Sequence, residues 1–345
     1  MEEVPKQLAL EKRGQLSETE ISFDGEEVKT LGMMWNPVTD TMSFVVRELS
    51  TEEYTNRIVL SKMSMLYDPL GLASAVTIKA KMAMQDVCRC KSLDWDDPLP
   101  EEMCELWQRL FAEMRGLEHV RFNRCLKPCD SVGSSELHVF ADASMGAYGA
   151  VAYLLWPTVS GIEVQLVLAK ARVAPPHQTT IPRFELMAAL IASRLAKTIC
   201  DEFKEKPSEV NLWSDFQIVL HWIHSNSISF KAFVGVPVAE IQSVWDASHW
   251  KYVPTSLNPA DDLSHGISVE GMNGRWVHGP SFLKLPVEQW PKQPSDDVVV
   301  DDSVEIRKSK LVASCISVLP VIDAGKVSSW QRHFEDYSQL FVVHP

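Results

Sequence analysis

Between Glu136 and about Val269 the hydrophobic pattern changes period in a set order, and that order restricts the fold more than any single motif does. Apolar or alternating runs at ELHVFADA, AYGAVAYLLW and VQLVLAKARV predict three consecutive strands, separated by Gly146 and by a turn over Pro157 to Gly161. After Pro182 the period becomes helical, with Phe184, Met187, Ala188, Ile191, Leu195 and Ile199 on one face. EVNLWSD predicts a strand, FQIVLHWIHS a helix, KAFVGVPVAEIQSVW another helix despite Pro237, and HWKYV a last strand. NPADDLSHG has the form of a capped helix start. The resulting βββαβα(α)βα order predicts an α/β fold, a mixed sheet with flanking helices.

The flanks are of a different kind. In VKTLGMMWNPVTDTMSFVVREL, Asn36-Pro37 punctuates two strand-like runs and predicts a hairpin. From Arg57 to Met114 the pattern is helical: Pro69 and Gly71 separate a first helix from AVTIKAKMAMQDVCRC, and a third follows WDDPLPEE. Past Gly271 come tryptophan and proline, then the acidic SDDVVVDDSVE, expected to be an ordered tail and a flexible linker, with a helix start at SSWQRHFEDYSQLF. The boundaries read are 1–130, 134–270 and 271–345, the last partly disordered.

Acids outnumber lysine and arginine by 46 to 33, a net charge of −13, which argues against strong autonomous binding to phosphate backbones. It leaves metal-dependent phosphodiester chemistry open, since such a site is built of carboxylates. Seven cysteines in no even framework and a charged start predict an intracellular, reduced protein. LVASCISVLPVI is too short and too interrupted to span a bilayer, so no membrane role is expected.

Four carboxylates sit at the ends of predicted elements. Asp142 interrupts an apolar strand, Glu185 lies in a first helical turn, Asp215 ends VNLWSD, and Asp261 opens a helix beside Asp262. Each has an ordinary explanation: a turn aspartate, a helix-dipole partner or an N-cap. Together they are more, because this element order can bring all four to one edge of a sheet, where two Mg²⁺ about 4 Å apart would clamp a phosphodiester.

At these residues the chain resembles the ribonuclease H domain of BEL/Pao-type retrotransposon polyproteins. The resemblance is carried by FADASMGAYGAVAYL, LVLAKARVAP, TIPRFELMAALIASRL, LWSDFQIVLHWI, FKAFVGVPVAEIQ and WKYVPTSLNPADDLSHG, in the family's order across 136–270. KTLGMMWNP and the stretch from RIVLSKM to WDDPLP resemble a reverse-transcriptase thumb and connection, a smaller, mainly helical remnant. WVHGPSFLKLPVEQWP resembles the joint toward an integrase, which is missing, so the chain reads as a polyprotein fragment.

The resemblance implies a ribonuclease H-like fold. It also implies Asp142, Glu185, Asp215 and Asp261 as catalytic metal ligands, with Asp262 as second choice. The expected cofactor is a pair of Mg²⁺ ions, replaceable by Mn²⁺. The expected reaction is hydrolysis of the RNA strand of RNA–DNA hybrids, with a grip that is weak without the other polyprotein modules.

The polymerase's paired-aspartate strand and a DTG or DSG protease loop are both absent, so neither polymerase nor peptidase activity is expected. Three departures from the family pattern, Phe216 for serine, His265 for arginine and Pro237 at a basic position, support a rival reading. In it the chain is a folded but catalytically weak or inactive relic that serves as a nucleic-acid or protein binding scaffold.

Cys88-x-Cys90 and Cys125-x-x-x-Cys129 lack a second metal-binding pair, so unpaired thiols are expected. His221 and His224 are read as partly buried packing residues.

Overall fold

The computed structural model describes residues 28–30, 33–46, 53–89, 93–176, 179–294 and 304–307. Cys90, LVASCISVLPVI, most of the acidic stretch and SSWQRHFEDYSQLF lie outside the described residues.

A five-stranded sheet organises the chain. It comprises β5 (Glu136–Ala143), β6 (Ala147–Thr158), β7 (Gly161–Val173), β8 (Glu209–Ser214) and β9 (Trp250–Tyr252), in the order β7-β6-β5-β8-β9. β6 runs antiparallel to β5 and β7, whereas β8 and β9 run parallel to β5. The β6–β7 turn is tighter than the sequence suggests, because Pro157 pairs with Ile162 inside the ladder. Pro157 falls near the end of its strand, where its missing N–H is tolerated.

Both faces of the sheet are covered, which explains why β5 reads as a nearly continuous apolar run. Leu137, Val139 and Ala141 pack toward α4 (Ile181–Glu202), α5 (Gln217–His224) and α6 (Ala232–Val244). Phe140 on the alternate face joins a second core with residues of α1 (Asn56–Ser64), α2 (Ser74–Arg89) and α3 (Glu101–Arg115).

The apolar stripe read on α4 is too narrow. Leu186, Ala189, Leu190, Ala192, Ser193 and Ala196 are buried as well, because α4 is packed between the sheet and α6. His221 and His224 are exposed rather than partly buried. They occupy the face of α5 opposite Val219, Leu220, Trp222 and Ile223, and His224 Nδ1 meets Leu220 O at 2.8 Å.

The predicted hairpin is present and larger. β2 (Met33–Asn36) and β3 (Thr41–Phe44) are flanked by β1 (Val28–Thr30) and β4 (Phe122–Asn123) in an antiparallel sheet of order β1-β2-β3-β4. This layer and the helices do not form a separate core, since Val76 and Ala80 share one cluster with Val151 and Tyr153.

The loop before α2 also covers the outer edge of the large sheet, where Ala169 N donates to Leu70 O at 2.9 Å. Gly71 follows with φ +69°, and a Cβ there would stand 2.0 Å from Ala169 O, so only glycine fits this approach. Two short helices complete the described chain, α7 (Asp261–His265) and α8 (Arg275–His278). The segment around α8 closes the second face: Tyr153 Oη donates to Trp276 O at 2.7 Å, and Trp276 Nε1 donates to Leu72 O at 2.7 Å.

Candidate metal centre

Parallel pairing places the first two acids side by side. Ala141 on β5 is opposite Ser214 on β8, so Asp142 and Asp215 each follow the last paired position. Glu185 enters from the first turn of α4, which Pro182 helps to start, and Asp261 from the first residue of α7.

Carboxylate oxygens of Asp142, Glu185 and Asp215 lie within 4.8 Å of one another, and so do ligand atoms of Asp142, Asp261 and His265. All four predicted acids therefore converge, with Asp142 shared by two groups. Asp262 points elsewhere: it is 6% exposed and bonds Arg275, whose Nη2 lies 2.7 Å from Oδ1.

The centre is largely buried and rich in acidic groups. Asp142 and Glu185 are each 4% exposed. Burial, then the neighbouring Asp215, pushes the Asp142 carboxyl up to about 7. Burial, then Asp142 and Asp215, pushes Glu185 up to about 10. Asp215 is raised chiefly by burial, against the lowering effect of the Thr255 hydrogen bond. Glu185 Oε2 and Asp215 Oδ1 are buried without a hydrogen-bond partner. Buried acids facing one another with oxygens unused fit a hard divalent cation, which takes oxygen ligands.

Three neutral side chains and one arginine orient the acids. Ser264 Oγ donates to Asp142 Oδ2, and Thr255 Oγ1 donates to Asp215 Oδ2 at 2.5 Å. The fully buried Asn258 donates from Nδ2 to Ala141 O at 3.0 Å and accepts from Ala260 N at 3.1 Å, which ties the segment before α7 to the end of β5. Arg275 Nη2 donates to Asp261 Oδ2 at 2.8 Å. The sequence reading did not identify Thr255, Asn258, Ser264 or Arg275 as members of the site. The available signal was their closeness in sequence to Asp261.

Among the described residues the groups with metal-ligand geometry contain no cysteine. Cys125 and Cys129 are exposed free thiols.

The strand order, the parallel β5–β8 pair and the acids at its end define an α/β protein of the ribonuclease H-like class. Residues 55–216 match the family described as the Pao retrotransposon-like RNaseH-like domain. The matched stretch contains Asp142, Glu185 and Asp215, and Asp261 lies beyond it.

A search of curated proteins finds no match. Among solved structures the chain is similar to a foamy viral protease–reverse transcriptase in complex with double-stranded DNA, at 10% identity and TM-score 0.37. That match covers 66% of this chain and only 37% of the other. It is also similar to the N-terminal RNase H domain of a Mycobacterium tuberculosis protein fused to maltose binding protein (14% identity, TM-score 0.24, 38% of this chain and 92% of that one). A third is RNase H1 from Halobacterium salinarum (15% identity, TM-score 0.25, 41% and 98%). Among the described residues no helix is long and apolar enough to cross a membrane.

Proposed function

We propose that this chain hydrolyses the RNA strand of RNA–DNA hybrids at a two-cation centre held by Asp142, Glu185, Asp215 and Asp261. The observation that carries this reading is the set of buried carboxylates within 4.8 Å, two of whose oxygens have no partner. Mg²⁺ bound there would lower the pKa of the attacking water and offset charge building on the phosphate.

The protein's own part is placement. Asp142, next to the end of a core strand, faces both groups of ligands, while Ser264 and Thr255 fix the carboxylate rotamers of Asp142 and Asp215. Selection of the hybrid rests on groove shape and 2′-hydroxyl contacts rather than on base edges. The net charge of −13 makes the grip weak in isolation and assigns part of it to other retroelement modules. Residues 1–130 correspond in this reading to a reverse-transcriptase thumb and connection, and the segment from 271 to a joint toward an integrase.

Cleavage of a labelled hybrid by purified protein with Mg²⁺ tests the proposal. Activity that is abolished in Asp142→Asn supports it, and no Mg²⁺-dependent cleavage above that variant defeats it.

A second reading, an inert scaffold that keeps the fold, is favoured by Arg275, whose guanidinium already occupies Asp261 Oδ2. A melting temperature that Mg²⁺ leaves unchanged in the parent protein supports the scaffold.

A further inference from the structure

One half of the centre is not built of oxygen alone. His265 stands one turn after Asp261 on α7, with Nδ1 3.0 Å from Asp261 Oδ1 and 2.9 Å from Ser264 Oγ, and ligand atoms of Asp142, Asp261 and His265 lie within 4.8 Å of one another. Arg275 takes the other Asp261 oxygen, which leaves Oδ1 as the one facing His265.

The geometry points to His265 Nδ1 as a nitrogen ligand of the second cation position, so that this position selects Mn²⁺ over Mg²⁺. The inference rests on the cation reading above and gives the two positions different chemistry. Neighbouring ligands of an octahedral ion at about 2.1 Å stand about 3 Å apart, and the Asp261–His265 pair has that spacing.

Mg²⁺ is hard and takes oxygen donors, whereas affinity for imidazole rises from Mn²⁺ through the later first-row ions. Arg275 strengthens the contrast by offsetting the Asp261 charge on which a hard cation depends for attraction. The other position, formed by Asp142, Glu185 and Asp215, offers only oxygen and suits Mg²⁺. The His265 side chain is 64% exposed, so it reaches an ion without disturbing the core, and replacing it leaves the fold intact.

Calorimetric titration of the full chain with MnCl₂ and MgCl₂ in separate runs tests this, with visible absorption of a Co²⁺-loaded sample reporting nitrogen ligation. The parent is expected to take two Mn²⁺, and to bind Mg²⁺ at the second position at least about tenfold more weakly. His265→Ala is expected to lose one Mn²⁺ equivalent and shift the Co²⁺ spectrum, with its strongest Mg²⁺ site unchanged, while Asp142→Asn loses both Mn²⁺ equivalents. If His265→Ala keeps the parent's Mn²⁺ isotherm and Co²⁺ spectrum, His265 is only a helical ion-pair partner of Asp261 and the assignment falls, with the cation centre intact. If the parent takes up no divalent cation, the centre itself falls too.

Discussion

The two halves of the acid cluster share Asp142 and differ in almost everything else. Asp142, Glu185 and Asp215 come from two core strands and the first turn of a buried helix, and they leave two oxygens without partners. Asp261 and His265 come from a five-residue helix, and Asp261 is already bonded by Arg275 and His265. The first half is held rigid and left electrostatically unsatisfied, whereas the second is satisfied and open to solvent. The fold thus keeps its unpartnered carboxylate oxygens where core strands and a buried helix hold them.

Removing the shared carboxylate should break both halves at once. Loss of hydrogen-bonding groups around a metal typically costs 10–100-fold in activity or affinity, so Asp142→Asn, a ligand change, should cost more than about 100-fold in hybrid cleavage. The same variant should melt higher than the parent in EDTA, since it relieves repulsion among buried acids.

Changes in the neutral partners sharpen the comparison. Ser264→Ala and Thr255→Ala should each lower cleavage by about 10–100-fold with little change in melting temperature, as seen by steady-state assay beside a thermal melt.

Arg275→Ala should act mainly on stability. It leaves Asp262 buried without its partner, at a cost of about 1–3 kcal/mol measured by denaturant titration.

A graded effect belongs to pH. Asp142 and Glu185 are held above the unfolded carboxyl range of about 4, so the folded chain binds their protons more tightly than the unfolded chain. Their contribution to stability is fully present below pH about 4. It is lost as pH rises through about 7 for Asp142, and toward about 10 for Glu185. In EDTA the melting temperature should therefore fall between pH 4 and 7 (about; set by the same values), and saturating MgCl₂ should flatten that slope. A metal-free melting temperature that rises over this window would contradict the buried charge.

The element order was legible because strand and helix periods are local properties. The convergence of the four acids was legible because each sits at an element terminus. Hydrogen bonds across the fold were not. Asn258 reads as punctuation before a helix until β5 is seen to present the Ala141 carbonyl to it. Asp261 and Asp262 are equivalent as first-turn acids, and only the position of Arg275, with the turn of α7, separates them. The burial of α4 on several sides was hidden because one amphipathic stripe reports one neighbour, and this helix has two.

The closure of the second sheet face also has a consequence in time. Trp276 Nε1 reaches Leu72 O across 204 positions of the chain. During synthesis, the strands from Glu136 onward emerge well before Trp276, and so does Leu72. Until the ribosome has released the stretch around Trp276, Tyr153 and Phe140 face an incomplete cover. A nascent chain of this kind is expected to keep this apolar face exposed until late in synthesis.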